Sequence, residues 1–395
     1  MNYPAALLGV ALFILLMRAL SRIRIFSTIL SDFSFFKLQF FFFGIILALV
    51  FPVNFMSMFE DILGTIFLFC LSWIGLYYGC SLEIRELQKY SRKSYIFHII
   101  EPLILLFLIT VLGIVYVSIK FPDINHINIV LIAAFCSIAL YKKSGISSRE
   151  GYDAFRFLLN DLVPLRNIIG ITALGIVFSL LFRTKELALF NHIFSGSITY
   201  FALNLMFGLA FGIIITMMIS GASSTESLPI IVIGGTALIG GTVYMFSLSP
   251  LFVGTLTGAF IINARVKRLR TLETLTISNA HIEKVFMFCL GAYLVPMIRN
   301  DGLNITLLFA GAFGLFAVRS LLNYFMAYLW VSRFQGYNKD TTLLWIGLSG
   351  QGILAAGIAL EIHMYVPELF FVFPLLIIVL ILNQIATVLY LTKIS

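Results

Sequence analysis

The sequence predicts an all-α polytopic membrane protein with about thirteen transmembrane helices. Two observations carry this prediction. The 395 residues are 61% hydrophobic and only 11% charged, whereas an ordinary soluble domain carries about 25% charged residues. Long apolar runs also recur along the whole chain, with the charged residues between them. A soluble fold could not keep that much apolar surface away from water. The composition therefore excludes a soluble enzyme, a nucleic-acid-binding domain and a disordered chain.

The apolar runs set the number of spans, because a helix needs about 20 apolar residues to cross a bilayer. The N-terminal run is predicted to be a helix, since it lacks the early basic region and small-residue cleavage site of a signal peptide. The thirteen runs cover residues 2–20, 36–53, 62–80, 94–119, 127–141, 155–182, 196–220, 227–246, 249–264, 283–298, 303–331, 341–360 and 367–392.

The basic residues predict the orientation and explain the net charge of +8. If the N-terminus is outside, twenty of the 26 Lys and Arg residues fall in loops or at helix ends on the cytoplasmic side. Only Lys120, Arg183, Lys185 and Arg299 fall outside, and Arg166 and Arg319 lie within helices. Short cytoplasmic loops are enriched in Lys and Arg. We therefore expect the N-terminus outside and the C-terminus in the cytoplasm.

Thirteen spans divide into six, one and six, so the two sets of six begin on opposite sides of the membrane. This is the plan of an inverted repeat, which is common in secondary transporters. We expect the first repeat at 1–182, a linker helix at 183–223 and the second repeat at 224–395, with no soluble domain.

No motif predicts an enzyme, a cofactor or a metal centre. The sequence has no Ser-His-Asp, phosphate-loop or zinc pattern, and the five histidines are scattered. Cys70, Cys80, Cys136 and Cys289 lie within or at the ends of apolar runs without metal-ligand spacing. We interpret them as small residues of the packed interior.

The sixth run contains polar residues that are costly inside a membrane, and such residues are candidates for function. Pro164 has no N–H, so the carbonyl of Asn160, four residues earlier, loses its helical partner. That carbonyl, the Asn160 amide and the Asp161 carboxylate form an oxygen-rich group suited to a small cation or a proton. The alternative is that Asp161 lies near the cytoplasmic end, where it pairs with Arg156 or Arg166 and anchors the helix.

Two further charges lie inside predicted helices. Arg319 is near the middle of its run, where it is either a counter-charge for an ion site or a structural tie between helices. Glu101, followed by Pro102, is about seven residues into its run. We expect Glu101 to face an interfacial cavity or to cap a neighbouring helix, with a role in transport as the alternative.

The fifth run of each half is predicted to be broken. The first of the two is short and continues into Ser144 and Gly145. The second contains Ser349, Gly350, Gln351 and Gly352 in mid-span. Unwound helices near the midplane expose backbone dipoles to a substrate site. Close helix packing is the ordinary use of glycine pairs in membranes, but the equivalent positions of these runs in the two halves favour an unwound stretch in each.

Four stretches resemble the monovalent cation:proton antiporter superfamily, of the sodium/proton exchanger type. They are residues 75–87, which close the third run; residues 249–258 with Asn263; residues 286–291; and residues 350–357. The resemblance extends over nearly the whole chain. It implies a mobile core domain with two crossing broken helices, a dimerisation domain, and exchange of sodium, potassium or lithium for protons. It also implies a homodimer, and the Phe-, Ile- and Lys-rich composition favours a bacterial inner membrane.

The resemblance leaves the ion-binding pair open between two alignments. An ungapped alignment from residues 149–151 places the family's first aspartate at Asp161, with Leu162 at the second position. Matching residues 168–170 instead places the pair at Arg166 and Asn167, where no carboxylate remains. Arg319 corresponds to a basic residue of the family's eleventh helix, and Gln351 replaces an arginine.

Three hypotheses follow for the function. The first is a cation:proton antiporter that uses Asp161 with Asn160. The second is a transporter of the same fold with a different substrate, such as an anion drawn by Arg166 and Arg319. The third is a transport-inactive membrane scaffold or sensor in which Arg166 replaces the bound cation. An enzyme is the least supported reading.

Overall fold

A computed structural model describes residues 38–50, 60–88, 92–120, 127–138, 153–181, 197–222, 227–264, 266–300, 305–333, 345, 348–366, 369 and 371–394. All regular secondary structure within these ranges is helical. The predicted first helix at 2–20 lies outside them.

The helices follow the predicted runs in order. They are α1 (Leu38–Val50), α2 (Glu60–Cys80), α3 (Ile84–Gln88), α4 (Arg92–Lys120), α5 (Ile127–Ser137), α6 (Asp153–Leu181), α7 (Ser197–Gly221), α8 (Ser227–Phe246), α9 (Pro250–Ala264), α10 (Arg268–Asn300), α11 (Ile305–Arg333), α12 (Ile353–Tyr365) and α13 (Val372–Ile394). Six described helices contain a stretch long and apolar enough to cross a membrane, and five more contain shorter apolar stretches. The chain is a multi-pass helical membrane protein, as predicted.

Helix α10 is longer than its predicted span of 283–298. It begins at Arg268 and runs without interruption to Asn300. Its 33 residues extend for about 50 Å, whereas the hydrocarbon core of a bilayer is about 30 Å thick. The polar first half, which contains Arg270 and Glu273, therefore projects beyond the apolar layer, and a search for apolar runs cannot detect it.

The predicted span at 341–360 is broken at glycines. Leu348 and Ser349 are helical, residues 350–352 are not, and α12 then continues to Tyr365, five residues beyond the predicted end. The backbone at Gly352 is extended, with φ −113° and ψ −162°. In the other half, α5 ends at Ser137 and Ile138 is already non-helical, whereas the prediction extended this helix to residue 141.

Glycines bring the backbones of two helix pairs into close contact. On α2 and α9, a methyl group added to Gly79 would come within 3.0 Å of the Thr255 carbonyl, and one added to Gly258 would meet the Leu76 carbonyl equally closely. Helices α1 and α10 repeat this arrangement through Gly44 and Gly291. Small residues that permit close backbone approach are typical of helix packing in membranes. All four cysteines are free and buried, as predicted.

The connection after α2 is tied to the connection between α9 and α10. The Asn263 side chain accepts a hydrogen bond from the Ile84 backbone N–H and donates one to the Leu82 carbonyl. Glu83 forms an ion pair with Arg268. These contacts join two of the stretches on which the resemblance to antiporters was based.

Candidate functional site

The end of α5 and the break before α12 meet inside the protein. The side-chain amide of Gln351, in the break before α12, donates a hydrogen bond to the Phe135 carbonyl near the end of α5, at 2.9 Å. A helix ends at both places, and its last carbonyls lack partners within that helix. These carbonyls also carry the negative end of the helix dipole. The crossing is therefore a group of buried acceptors that attracts positive charge.

Arg319 of α11 fills this crossing. Its side chain is fully buried, and its five N–H donors are matched by five hydrogen bonds of 2.6–3.3 Å. The acceptors are the carbonyls of Cys136, Ile138, Leu348 and Ser349 and the side chain of Asn383. The Arg319 guanidinium thus joins the end of α5 and the break before α12 to α13.

Arg166 of α6 lies at the same crossing. It is also fully buried. Its Nε donates to the Ser137 carbonyl at 2.7 Å, and its Nη1 donates to the Leu348 carbonyl at 3.3 Å. Its Nη2 donates to the Asn323 side chain at 3.3 Å. Arg166 therefore contacts the end of α5, the break before α12, and α11. Its Nη2 also faces α4.

The group on α4 that faces Arg166 is Glu101. Its Oε1 lies 3.3 Å from the Arg166 Nη2, and both side chains are 0% exposed. Neither carboxylate oxygen makes a hydrogen bond of good geometry. Glu101 was expected to face an interfacial cavity or to cap a neighbouring helix; in the structure its carboxylate lies beside the Arg166 guanidinium. Helix α4 begins at Arg92, but its apolar stretch runs from Ile99 to Val115, so Glu101 lies near the start of that stretch.

A shell of uncharged amides completes the crossing, and the sequence predictions named only Gln351 among them. The Asn383 amide donates to Gln351 Oε1 at 3.0 Å, and Gln384 donates to the Gln351 carbonyl at 3.0 Å. Asn323 donates to the Leu348 carbonyl at 3.3 Å. All four amides are at least 98% buried. An Asn or Gln within an apolar run was the signal that could have identified these residues. A search for charged residues alone does not detect it.

The other predicted site residues lie on α6. Asn167 is next to Arg166 and is 1% exposed. The backbones of Asn160 and Asp161 belong to the same helix, which continues through Pro164; their side chains lie outside the described part of the structure. Among the described side chains at the crossing, two guanidinium groups face one carboxylate. Nowhere in the described ranges do three His, Cys, Asp or Glu side chains come together as metal ligands.

Glu361 of α12 is a second buried carboxylate that the sequence predictions missed. Its side chain is 0% exposed. The predicted span ended at residue 360, so Glu361 was assigned to a loop.

Comparison with solved structures identifies the architecture. The structure of the sodium proton antiporter MjNhaP1 from Methanocaldococcus jannaschii, at pH 8, matches with a TM-score of 0.63. The match covers 98% of this chain and 100% of that one, at 12% sequence identity. This chain has a sodium/proton antiporter fold. No protein-family model and no curated protein sequence matches it. The antiporter fold predicted from the four resembling stretches is thus confirmed, and the crossing lies within that fold.

Proposed function

We propose that the chain is a secondary transporter that exchanges a monovalent cation, Na⁺ or K⁺, for protons by alternating access. The observation that carries this proposal is the fully buried Glu101–Arg166 pair, where the end of α5 meets the break before α12 in an antiporter fold. Intramembrane ionisable groups are expensive and therefore indicate function.

The chemistry is a competition for a carboxylate. A proton, a monovalent cation and the Arg166 guanidinium can each neutralise Glu101, but not all at once. Arg166 keeps its bonds to the Ser137 and Leu348 carbonyls when it gives up the carboxylate. The guanidinium therefore stays in place while Glu101 accepts a proton or a monovalent cation, and either partner raises the net charge at the crossing by one.

Asp161 with Asn160 supplies the second part of the proposed site. Asp161 precedes Arg166 by five residues in the continuous helix α6, about 7.5 Å along the axis. We propose that this carboxylate takes the transported cation. The five donors of Arg319 are all bonded, and together with Gln351 this residue fixes the end of α5 against the break before α12. Arg166 and Asn167 line the site between Glu101 and Asp161 in this proposal. The protein acts in a bacterial inner membrane as a homodimer, in this proposal.

Transport by purified protein in proteoliposomes tests the proposal. A pH-sensitive dye inside the vesicles is expected to report a pH change when Na⁺, K⁺ or Li⁺ is added outside. Asp161→Asn and Glu101→Gln are each expected to lower the initial rate at least tenfold, because each removes a carboxylate that binds a proton or a cation.

Glu83→Gln is the matched control, because Glu83 also pairs with an arginine, Arg268, but lies away from the crossing. It is expected to keep the wild-type rate. If folded wild-type protein gives no response to any of the three cations between about pH 6 and pH 9, the antiporter proposal is wrong. If Asp161→Asn transports normally and Glu101→Gln does not, the cation site moves to Glu101.

The excess of guanidinium groups over carboxylates at the described crossing favours a second candidate, an anion transporter of the same fold. Two buried arginines attract an anion if one guanidinium is released from its carbonyls. Chloride- or sulfate-driven flux that is lost in Arg166→Gln supports this candidate. Absence of both cation and anion flux leaves the third hypothesis, a transport-inactive scaffold.

A further inference from the structure

Glu361 is a buried carboxylate separate from the crossing. It lies ten residues after Gln351, about 15 Å along the axis of the segment that leaves the break. Its side chain is 0% exposed, and neither oxygen makes a hydrogen bond of good geometry. Among the described residues, no Arg or Lys forms an ion pair with it. An ionised carboxylate in such a place is very costly.

The groups that face Glu361 come from the turn between α8 and α9. The Ser249 hydroxyl and the Leu251 backbone N–H, at the start of α9, point toward its carboxyl group. Tyr365, one helical turn further along α12, interacts with it electrostatically and donates its own hydroxyl hydrogen to the Leu248 carbonyl at 2.7 Å. Helices α2, α5, α6 and α13 also pack against α12, but none of their described side chains brings a charge to Glu361.

This environment discriminates between the possible partners of the carboxyl group. A bound Na⁺ or K⁺ needs several oxygen ligands, whereas the start of α9 offers an N–H donor and the positive end of a helix dipole. That end repels a cation. A proton has no such requirement: the neutral carboxyl can donate to the Ser249 oxygen, and the ionised carboxylate can accept from Ser249 and Leu251.

We propose that Glu361 is a proton-carrying carboxyl group, placed between the α8–α9 turn and the crossing, which takes up and releases a proton during the transport cycle. The role in the cycle rests on the proposed antiport function, but the protonation itself does not. The competing explanation is that Glu361 is a permanently ionised cap for the N-terminus of α9.

Infrared difference spectroscopy on the full-length protein in lipid tests the protonation without requiring transport. A pH titration of the wild type is expected to show the C=O stretch of a protonated carboxyl group that disappears as the pH rises. Glu361→Gln is expected to lose this band, and Glu83→Gln, the matched control at a carboxylate paired with Arg268, is expected to keep it. If the Glu361→Gln difference spectrum equals that of the wild type, the proposal is overturned.

Two measurements keep the result interpretable. If Glu361→Gln does not fold, the wild type is treated with an apolar carbodiimide, which adds to protonated carboxyl groups; mass spectrometry must then find the adduct on Glu361, and its absence refutes the proposal. In proteoliposomes, Glu361→Gln is expected to lower cation-driven proton movement at least fivefold. An intact band in a protein that moves no cation would instead contradict the antiport function alone.

Discussion

At the scale of single residues, a buried arginine, Arg319, satisfies backbone carbonyls where helices end inside the protein. A helix break inside a bilayer leaves carbonyls that no water can satisfy. Arg319 bonds four of them at once, together with Asn383. Lysine offers three donors and no planar fork, so it cannot replace this arrangement.

Substitution of Arg319 is therefore expected to destabilise the fold. Arg319→Met leaves the carbonyls unpaired, and each buried acceptor left without a partner costs about 1–3 kcal/mol, so this variant should be strongly destabilised. Arg319→Lys should fall between Met and the wild type. Thermal unfolding of the detergent-solubilised protein, followed by size-exclusion chromatography, measures both. Arg85→Met, at an exposed position of α3, is the control and should unfold as the wild type does. Equal melting temperatures for Arg319→Met and the wild type would contradict this role.

The sequence identified the charged members of the site but not their partners. Arg166 and Arg319 were found because a charge in an apolar run is conspicuous. The pairing of Arg166 with Glu101 depends on which helices are neighbours, and a single sequence does not contain that information. Glu361 was missed because the predicted helix ended at residue 360, five residues before the observed end at Tyr365, and this placed Glu361 in a loop.

At the scale of helices, packing depends on a few glycines that the sequence alone does not separate from the others. Gly258 and Gly234 both lie in apolar helices, yet only Gly258 touches a neighbouring backbone. A methyl group on Gly258 would come within 3.0 Å of the Leu76 carbonyl, whereas one on Gly234 would meet no atom within 4 Å. Hydropathy predicts that a helix exists. Which face of that helix makes close contact depends on the neighbouring helix.

Gly258→Ala is accordingly expected to separate α2 from α9. Overpacking of this kind costs about 1–3 kcal/mol, or more when backbone atoms must move. Gly234→Ala is the matched control and should be neutral or stabilising by up to about 1 kcal/mol, since alanine is the better helix former. The two melting temperatures measured side by side check the prediction, and a lower value for Gly234→Ala than for Gly258→Ala would refute it.

At the scale of the whole molecule, the packing supports the proposed inverted repeat. If the two sets of six predicted spans correspond, α1 is equivalent to α9 and α2 to α10. The glycine-mediated contact of α2 with α9 is then equivalent to that of α10 with α1. The contact of α4 with α6 likewise corresponds to that of α11 with α13, and both are present. Because the helix contacts of one set recur in the other, we infer that the segment 183–223 separates two structural repeats.

The orientation can be tested on intact membranes, because the four native cysteines are buried and give little background. A cysteine at Leu269, which is 76% exposed in the projecting part of α10, should react with a membrane-impermeant maleimide only in inside-out vesicles. A cysteine at Ile305, which is 57% exposed at the start of α11, should react only in right-side-out vesicles. The reverse pattern would invert the proposed topology.

The residues that bond at the crossing are synthesised at widely separated times. Arg166 and its acceptor Leu348 are 182 positions apart in the chain, which a ribosome covers in roughly 10–40 s at about 5–20 residues per second. During that interval Glu101 and Ser137 have already been made, so the first half can neutralise its own arginine. The carbonyls of Cys136 and Ile138 must wait for Arg319. A chain released before its second half is complete therefore leaves the carbonyls of Cys136 and Ile138 without the guanidinium that bonds them in the whole protein.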